Sequence, residues 1–295
     1  MSTIKVENHT IELSNEDKIL FPKSKITKRD LINYYQAIAL QLVPLIVQHP
    51  LAMQRFPEGI DGEGFYQKEI GDYFPAWIDR KTVTHKLSNH KTTYVVCNNA
   101  ATLVYLANQA VITLHPWLST VDNLMHPDRL VFDLDPSPTS SWHELVETAL
   151  ALKKELEAHA LVPFVMTTGS HGLHVTIPLK QKQTFRHVRL FAQTIARAVV
   201  KKQPEKITLE VRKEKRVGKI FIDTLRNQWA QHAVAPYSVR IIESAPVATP
   251  LFWEDLENPK LTAQFYTINT VLKKLEREGD PWKDFKKSAR LLKNH

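Results

Sequence analysis

Two aspartates stand two residues apart in the run Leu130-Val131-Phe132-Asp133-Leu134-Asp135-Pro136. The run suits a strand, in which alternate residues share a face. Phe132 and Leu134 then turn toward a core, and Asp133 and Asp135 share the other face, roughly 7 Å apart. Carboxylates held that close repel unless a cation sits between them. Hard carboxylate oxygens suit Mg²⁺ or Mn²⁺. The same spacing also serves a solvated polar face on an ordinary strand. Asp223 ends a second apolar run, Lys219-Ile220-Phe221-Ile222-Asp223; there it either joins the pair or caps a turn. Three carboxylates at strand ends in a basic protein suit metal-assisted chemistry at a phosphate, with the basic surface holding the polyanion.

A third stretch, Thr167-Thr168-Gly169-Ser170-His171-Gly172-Leu173-His174, reads as a hairpin. Gly169 and Gly172 let backbone N–H groups approach a phosphate closely. Ser170 and His171 can donate to its oxygens, and His174 shares one face of the following strand with Thr176. A plain turn explains the same glycines. His171 and His174 form H-x-x-H, but no acidic or cysteine ligand in the motif completes a zinc site. His115 ends an apolar run in Leu114-His115-Pro116-Trp117, a position more often structural than chemical. No nucleophile elbow, Walker A motif or G-x-G-x-x-G is present, which argues against a serine hydrolase of that type, a P-loop NTPase and a Rossmann dehydrogenase.

The elements that must position these groups are visible in the pattern. Thr27 with Asp30 and Ser141 with Glu144 resemble capping boxes, and Asn99 and Thr184 suit N-caps. Each precedes apolar residues at helical spacing, the first along Leu31, Tyr34, Ile38, Leu42 and Leu45. Another helix is expected from Thr262 through Phe265, Ile268, Leu272 and Leu275, with Gly279 as its stop. Strands are expected at 92–97, 130–135, 162–168, 173–179, 206–212 and 219–225. This order predicts an α+β fold with a largely antiparallel sheet. Eight glycines and no low-complexity tract predict one unit over 1–295, with a core of about 10–245 and a helical extension over about 250–295.

The 295 residues can bury a sizeable core without staples. Cys97 is the one cysteine, so neither an internal disulfide nor a cysteine zinc site is expected. The first residues lack an apolar signal segment, and no apolar run reaches membrane-spanning length. A soluble cytosolic protein is expected. The formal net charge is +8, which favours polyanions such as nucleic acid. Residues 201–219 alone carry eight basic and three acidic side chains.

In chain order the motifs are Leu13-Ser14-Asn15-Glu16-Asp17-Lys18-Ile19-Leu20-Phe21-Pro22, His115, Val131-Phe132-Asp133-Leu134-Asp135-Pro136, Thr168-Gly169-Ser170-His171-Gly172-Leu173-His174, Phe221-Ile222-Asp223 and Ala235-Pro236-Tyr237-Ser238-Val239-Arg240. Together they resemble the polymerase domain of bacterial ligase D, of the archaeo-eukaryotic primase superfamily, over nearly the whole chain. The resemblance implies a primase-type core with an RRM-like sheet and flanking helices. It implies transfer of NTPs or dNTPs to a primer 3′-hydroxyl with two Mn²⁺ or Mg²⁺ ions, filling short gaps at broken ends in non-homologous end joining. DNA bearing a 5′-phosphate, Ku and a DNA ligase become expected partners, and the bacterial cytosol the expected place.

Residue by residue, Asp133, Asp135 and Asp223 match the family's metal-binding carboxylates. Thr168, Ser170, His171 and His174 fall on its nucleotide-binding hairpin, with His115 and Arg240 beside the incoming nucleotide. Lys18 and Lys28 match lysines that grip a 5′-phosphate. Phe65 and Tyr66 match an aromatic pair at the DNA end, and Arg55 and Arg216 suggest nucleic-acid contacts. The family commonly carries lysine where His171 stands and serine where Thr168 stands. Imidazole brings less charge than ammonium, which predicts weaker nucleotide binding here, or binding that strengthens at lower pH. The chain has no K-x-D-G ligation motif and no recognisable phosphoesterase, so it reads as a stand-alone member or an excised domain. Two other classes share parts of the pattern: a D-x-D glycosyltransferase, disfavoured by the third carboxylate, and an inert DNA-end-binding module, disfavoured by the intact trio.

Overall fold

Capping chemistry sets most of the helix starts. In the computed structural model, which describes residues 2–84 and 89–293, Thr27 and Asp30 form a reciprocal capping box, as do Ser141 and Glu144. The Asn99 and Thr184 side chains accept from the backbone N–H three residues on. Two short hairpins open the chain, β1 (Ser2–Val6) with β2 (His9–Leu13) and β3 (Ile19–Phe21) with β4 (Ile26–Thr27). The apolar stripe that follows is split into α1 (Lys28–Ala37) and α2 (Ala39–Ile46), joined at Ile38. Pro44 offers no N–H to the preceding turn, and α2 stays short.

A first sheet then forms from β5 (Pro50–Arg55), β6 (Phe65–Gln67), β7 (Arg80–Thr84) and β8 (Lys91–Val96), in the order β6-β5-β8-β7. After α3 (Ala100–Asn108), β9 (Val111–Pro116) returns to pair with β5. Every residue of β9 is buried, which explains its unbroken apolar character and carries His115 to the strand's inner end.

The second sheet holds the carboxylates. It comprises β10 (Arg129–Asp135), then, after α4 (Trp142–Ala158), the hairpin of β11 (Phe164–Thr167) and β12 (Leu173–Pro178), then, after α5 (Phe185–Lys202), β13 (Ile207–Thr208), β14 (Ile220–Asp223) and β15 (Pro250–Leu251). The spatial order is β13-β14-β10-β12-β11-β15, antiparallel except between β13 and β14. Helices α4 and α5 pack on one face. Phe132, Leu134, Val175 and Ile177 are buried among the core residues. The opposite side chains of β10 and its neighbours are left for the site. No described helix is long and apolar enough to cross a membrane.

Three expected elements differ. The 206–212 strand is reduced to Ile207–Thr208, because the Thr208 hydroxyl accepts the Glu210 N–H and the Glu210 carboxylate accepts the Arg212 N–H; local side-chain bonds win over the ladder. The helix expected from Thr262 is confined to α6 (Val271–Glu278). The Tyr266 carbonyl accepts from Val247 and the Ile268 N–H donates to Ala245, with a bridge at Thr267, which keeps this stretch out of a helix. The segment beyond residue 250 also enters the main body: β15 pairs with β11, and Trp282 stacks on Phe285 and donates to the Val165 carbonyl.

One buried charge cluster braces the join between the sheets. Asp128 bonds to Arg129 and to His49, and Arg129 reaches the Leu45 carbonyl. Burial would raise the Asp128 carboxyl, but Arg129 and His49 outweigh it and hold it well below the usual carboxylate range. Asp128→Asn is therefore expected to cost about 3 kcal/mol at pH 7 by leaving buried Arg129 without its counter-charge, a fall of roughly 5–10 °C in Tm. The ionised carboxylate stabilises the fold above its unfolded pKa of about 4. As pH falls below that value the benefit is lost, so the gap between parent and variant should close in acid. Paired thermal melts across pH would show it; a gap that widens in acid would refute the assignment.

Candidate active site

Strand pairing assembles the site in a single row. Asp133 on β10 lies directly opposite His174 on β12 and opposite Asp223 on β14. Directly opposed residues of antiparallel strands share a face, so Asp223, Asp133 and His174 stand side by side, with Asp135 two residues along. A pocket of about 260 Å³ opens beside this row, lined by Asp133, Asp135 and His174 but not by Asp223. Asp133, Asp135 and His174 line its floor, Thr168 and Ser170 of the hairpin one wall, Tyr66 and His115 another, and Arg226 and Arg240 complete it.

The charges are arranged in opposition. Asp133 lies 3.3 Å from His174 Nε2 and 3.6 Å from Arg226 Nε. Burial alone would raise its pKa, but His174, Arg226 and Arg240 outweigh burial and lower it. Asp135 has a weaker cation partner, Arg216 at 4.0 Å. Burial and the charges of Asp133 and Asp223 push it up to about 6. Asp223 is also raised, by burial and by Asp133, although its Oδ1 accepts the Leu225 N–H at 2.6 Å. Three carboxylates crowded until two resist ionisation form a donor set that a divalent cation would relieve. Among the described residues no three such side chains already converge on one point, because Asp133 and Asp223 are turned to His174, Arg226 and the Leu225 amide. The donor chemistry of Asp133, Asp135 and Asp223 fits a hard divalent metal.

The hairpin owes its shape to Thr168 and two glycines. The Thr168 hydroxyl accepts from the Gly172 and Ser170 N–H groups, and its own N–H donates to the Gly172 carbonyl. Thr168 thus staples the turn while its side chain lines the pocket. Gly169 has φ +68, and a Cβ there would sit 2.6 Å from Arg240 Cγ. A Cβ on Gly172 would fall 2.0 Å from the Leu134 carbonyl oxygen, which is backbone and cannot swing aside. Gly172→Ala is expected to lower stability by about 2–4 kcal/mol and to push the hairpin off β10. A Tm within error of the parent would contradict this.

The remaining sequence-predicted residues divide into two further places. His171 faces a neighbouring hollow with Lys213 and Arg216, on the far side of Asp135. Lys18, Lys28 and Arg55 line a separate hollow of about 200 Å³ near Glu58 and Asn108. Phe65 and Tyr66 part company, as adjacent strand residues must. Phe65 lies under the Arg55 guanidinium, 5.5 Å from its ring centroid, whereas Tyr66 tilts against His115 at 5.7 Å. Two polar pocket residues escaped sequence reasoning. Arg226 arrives through the turn that Asp223 caps, and Thr-Leu-Arg after a strand carries no distinctive spacing. His232 arrives through a bridge to Trp117 and packs its ring 5.3 Å from His115. Burial, with the nearby cations, lowers His115 well below the ordinary histidine value and His232 to about 4. The pocket thus combines neutral aromatic side chains, Tyr66, His115 and His232, with two cations, Arg226 and Arg240. Cations of this kind suit an anionic group, and the rings an apolar or planar one.

Comparison with known proteins follows the same lines. A family model described as LigD, primase-polymerase domain, matches residues 27–282. The multifunctional non-homologous end joining protein LigD of Mycolicibacterium smegmatis is 32% identical over 272 residues, covering 92% of this chain and 35% of that protein. The bifunctional non-homologous end joining protein LigD of Bacillus subtilis is 30% identical over 276 residues, covering 93% and 44%. Among solved structures, the polymerase domain from Mycobacterium tuberculosis ligase D in complex with DNA matches with a TM-score of 0.89 at 31% identity, over 95% of this chain and 99% of that one. The chain thus spans between about a third and under half of the length of these curated relatives.

Proposed function

Because the chain belongs to the LigD primase-polymerase domain family, we propose that it is a nucleotidyltransferase that adds NTPs or dNTPs to a primer 3′-hydroxyl. Its substrate would be a short gap with a downstream 5′-phosphate at a double-strand break, and its setting non-homologous end joining in the bacterial cytosol. Ku and a DNA ligase are the proposed partners. The observation that carries this reading is that Asp133, Asp135, Arg226 and Arg240 line one pocket, with Asp223 directly opposite Asp133 in the sheet.

Asp133, Asp135 and Asp223 would hold two divalent ions, Mn²⁺ or Mg²⁺. When bound, these supply Lewis-acid stabilisation of the attacking and leaving oxygens of an in-line displacement. The chain's own residues do the rest. Arg226 and Arg240 offset the charge of the triphosphate and its departing pyrophosphate. Ser170, on the hairpin stapled by Thr168, offers a hydroxyl toward the phosphates. Tyr66 and neutral His115 flank the sugar and base without adding charge. Asp135, the β10 aspartate with the weaker cation partner, is the proposed acceptor of the 3′-hydroxyl proton. His174 holds Asp133 in register. Arg216 and His171 approach from the neighbouring hollow, where a primer end would enter.

Primer extension on a short-gapped duplex tests the reading, with NTPs or dNTPs and Mn²⁺ or Mg²⁺. Metal-dependent extension is expected with at least one pairing. Transfer of sugar from a nucleotide sugar instead, or no extension under any pairing, would replace it.

A further inference from the structure

A second hollow, of about 450 Å³, lies between the first turns of α5 and the loop that follows β14. Arg226 of that loop lines the carboxylate pocket, while Gln228 and Trp229 line this hollow. One short stretch of backbone therefore separates the two. The hollow's apolar wall includes Leu190 and Met125, 55% and 45% exposed, large apolar side chains left open to water. Its charged residues are Arg186 and Arg189; no carboxylate lines it. Among the described residues neither arginine has an ion-pair partner, and Arg189 Nε is buried without a hydrogen bond.

We propose that this hollow is a stacking site for one or two unpaired nucleotides of the DNA strand running past the active-site pocket. The proposal rests on the polymerase reading. Base faces are apolar and pack on aromatic and aliphatic surface without regard to sequence, which suits Leu190, Met125 and Trp229. Phosphates between those bases would meet Arg186 and Arg189. An acidic, apolar peptide shares part of this chemistry. A strand is favoured because its reacting end already sits one loop away, so the second contact is made at high effective concentration. The charge pattern points the same way, since unpaired cations without a nearby anion suit a polyanion.

The test uses the intact chain and a labelled gapped duplex, with or without a short oligothymidine tail on either strand in turn. Binding is read by fluorescence anisotropy. A tail on one strand should tighten binding roughly tenfold. Arg186→Ala/Leu190→Ser, both at exposed positions, should erase that gain. The variant should bind the untailed duplex and fill its gap as the parent does. A tail preference that survives in the variant overturns the proposal. So does a parent indifferent to tails on both strands, which would leave the hollow to a peptide or to a second copy of the chain. Failure of the polymerase reading shows separately, as absence of gap filling by the parent protein.

Discussion

Asp133→Ala is expected to reduce nucleotide addition at least about a thousandfold, with affinity for gapped DNA changed by less than about twofold. The asymmetry follows from position. Asp133 is the central member of the row, directly opposite both Asp223 and His174. On the proposed reading, phosphate contacts, a large part of affinity for DNA, come from other side chains. Alanine also strands His174 and Arg226, so a fall in activity through lost structure must be separated from lost chemistry. Asp133→Asn keeps the shape and one acceptor oxygen, while its NH2 replaces the other; it should match the alanine variant in activity while melting closer to the parent than alanine does. Single-turnover extension beside thermal melts gives both readouts. Extension within tenfold of the parent in either variant would remove the row from the reaction. A companion effect has the opposite sign on stability. Asp135 and Asp223 repel Asp133, so Asp135→Asn should raise Tm in chelator while lowering activity.

The second large effect concerns the distant hollow. Lys28 is 5% exposed. Its ammonium meets neutral oxygens, Ser14 Oγ at 3.2 Å and the Asn108 carbonyl at 3.1 Å. Burial, and then the charge of Lys18, lowers its pKa. Lys18 is drawn aside by Glu58 at 2.8 Å and by the Pro57 carbonyl. Such a pair of cations gains from an anion between them. A 5′-phosphate on the downstream side of a gap should therefore tighten binding about ten- to a hundredfold over a 5′-hydroxyl, the worth of one or two charge-assisted contacts. Lys18→Ala/Lys28→Met should make the two DNAs equivalent. Methionine fills the Lys28 site and removes the cost of burying a charge, so the fold should hold. Glu58→Gln should free Lys18 and sharpen the preference. The preference should shrink as salt rises. Equal affinity of the parent for both DNAs would refute the assignment.

Much of this was legible in the residues. The strands that carry Asp133, His174 and Asp223 declare themselves by apolar alternation, and four helix starts by their caps. The hairpin was legible from its glycines. Long-range register was not: nothing local says that Asp223 must lie opposite Asp133 rather than one residue away. Arg226 and His232 were missed for the same reason, since a turn and an isolated bridge bring them in. The Thr262 helix failed because its stripe of apolar spacing was overruled by backbone pairing with 245–247. The separation of Tyr66 from Phe65 was implicit in strand geometry, but required knowing that both lie on β6.

The register of β10 and β14 has a consequence during synthesis. The two aspartates it opposes are about 90 residues apart in the chain, so a nascent chain that has made Asp133 and Asp135 still lacks the third carboxylate. A slip of one residue in either strand would turn the acidic side chains into the apolar layer beneath α4 and α5, where an unpaired charge is prohibitive. Misaligned forms are thus expelled from the compact ensemble rather than tolerated as weak enzymes. A half-made or misfolded copy is expected to be inert, and activity regained on refolding should keep pace with the slowest sheet contact instead of preceding it.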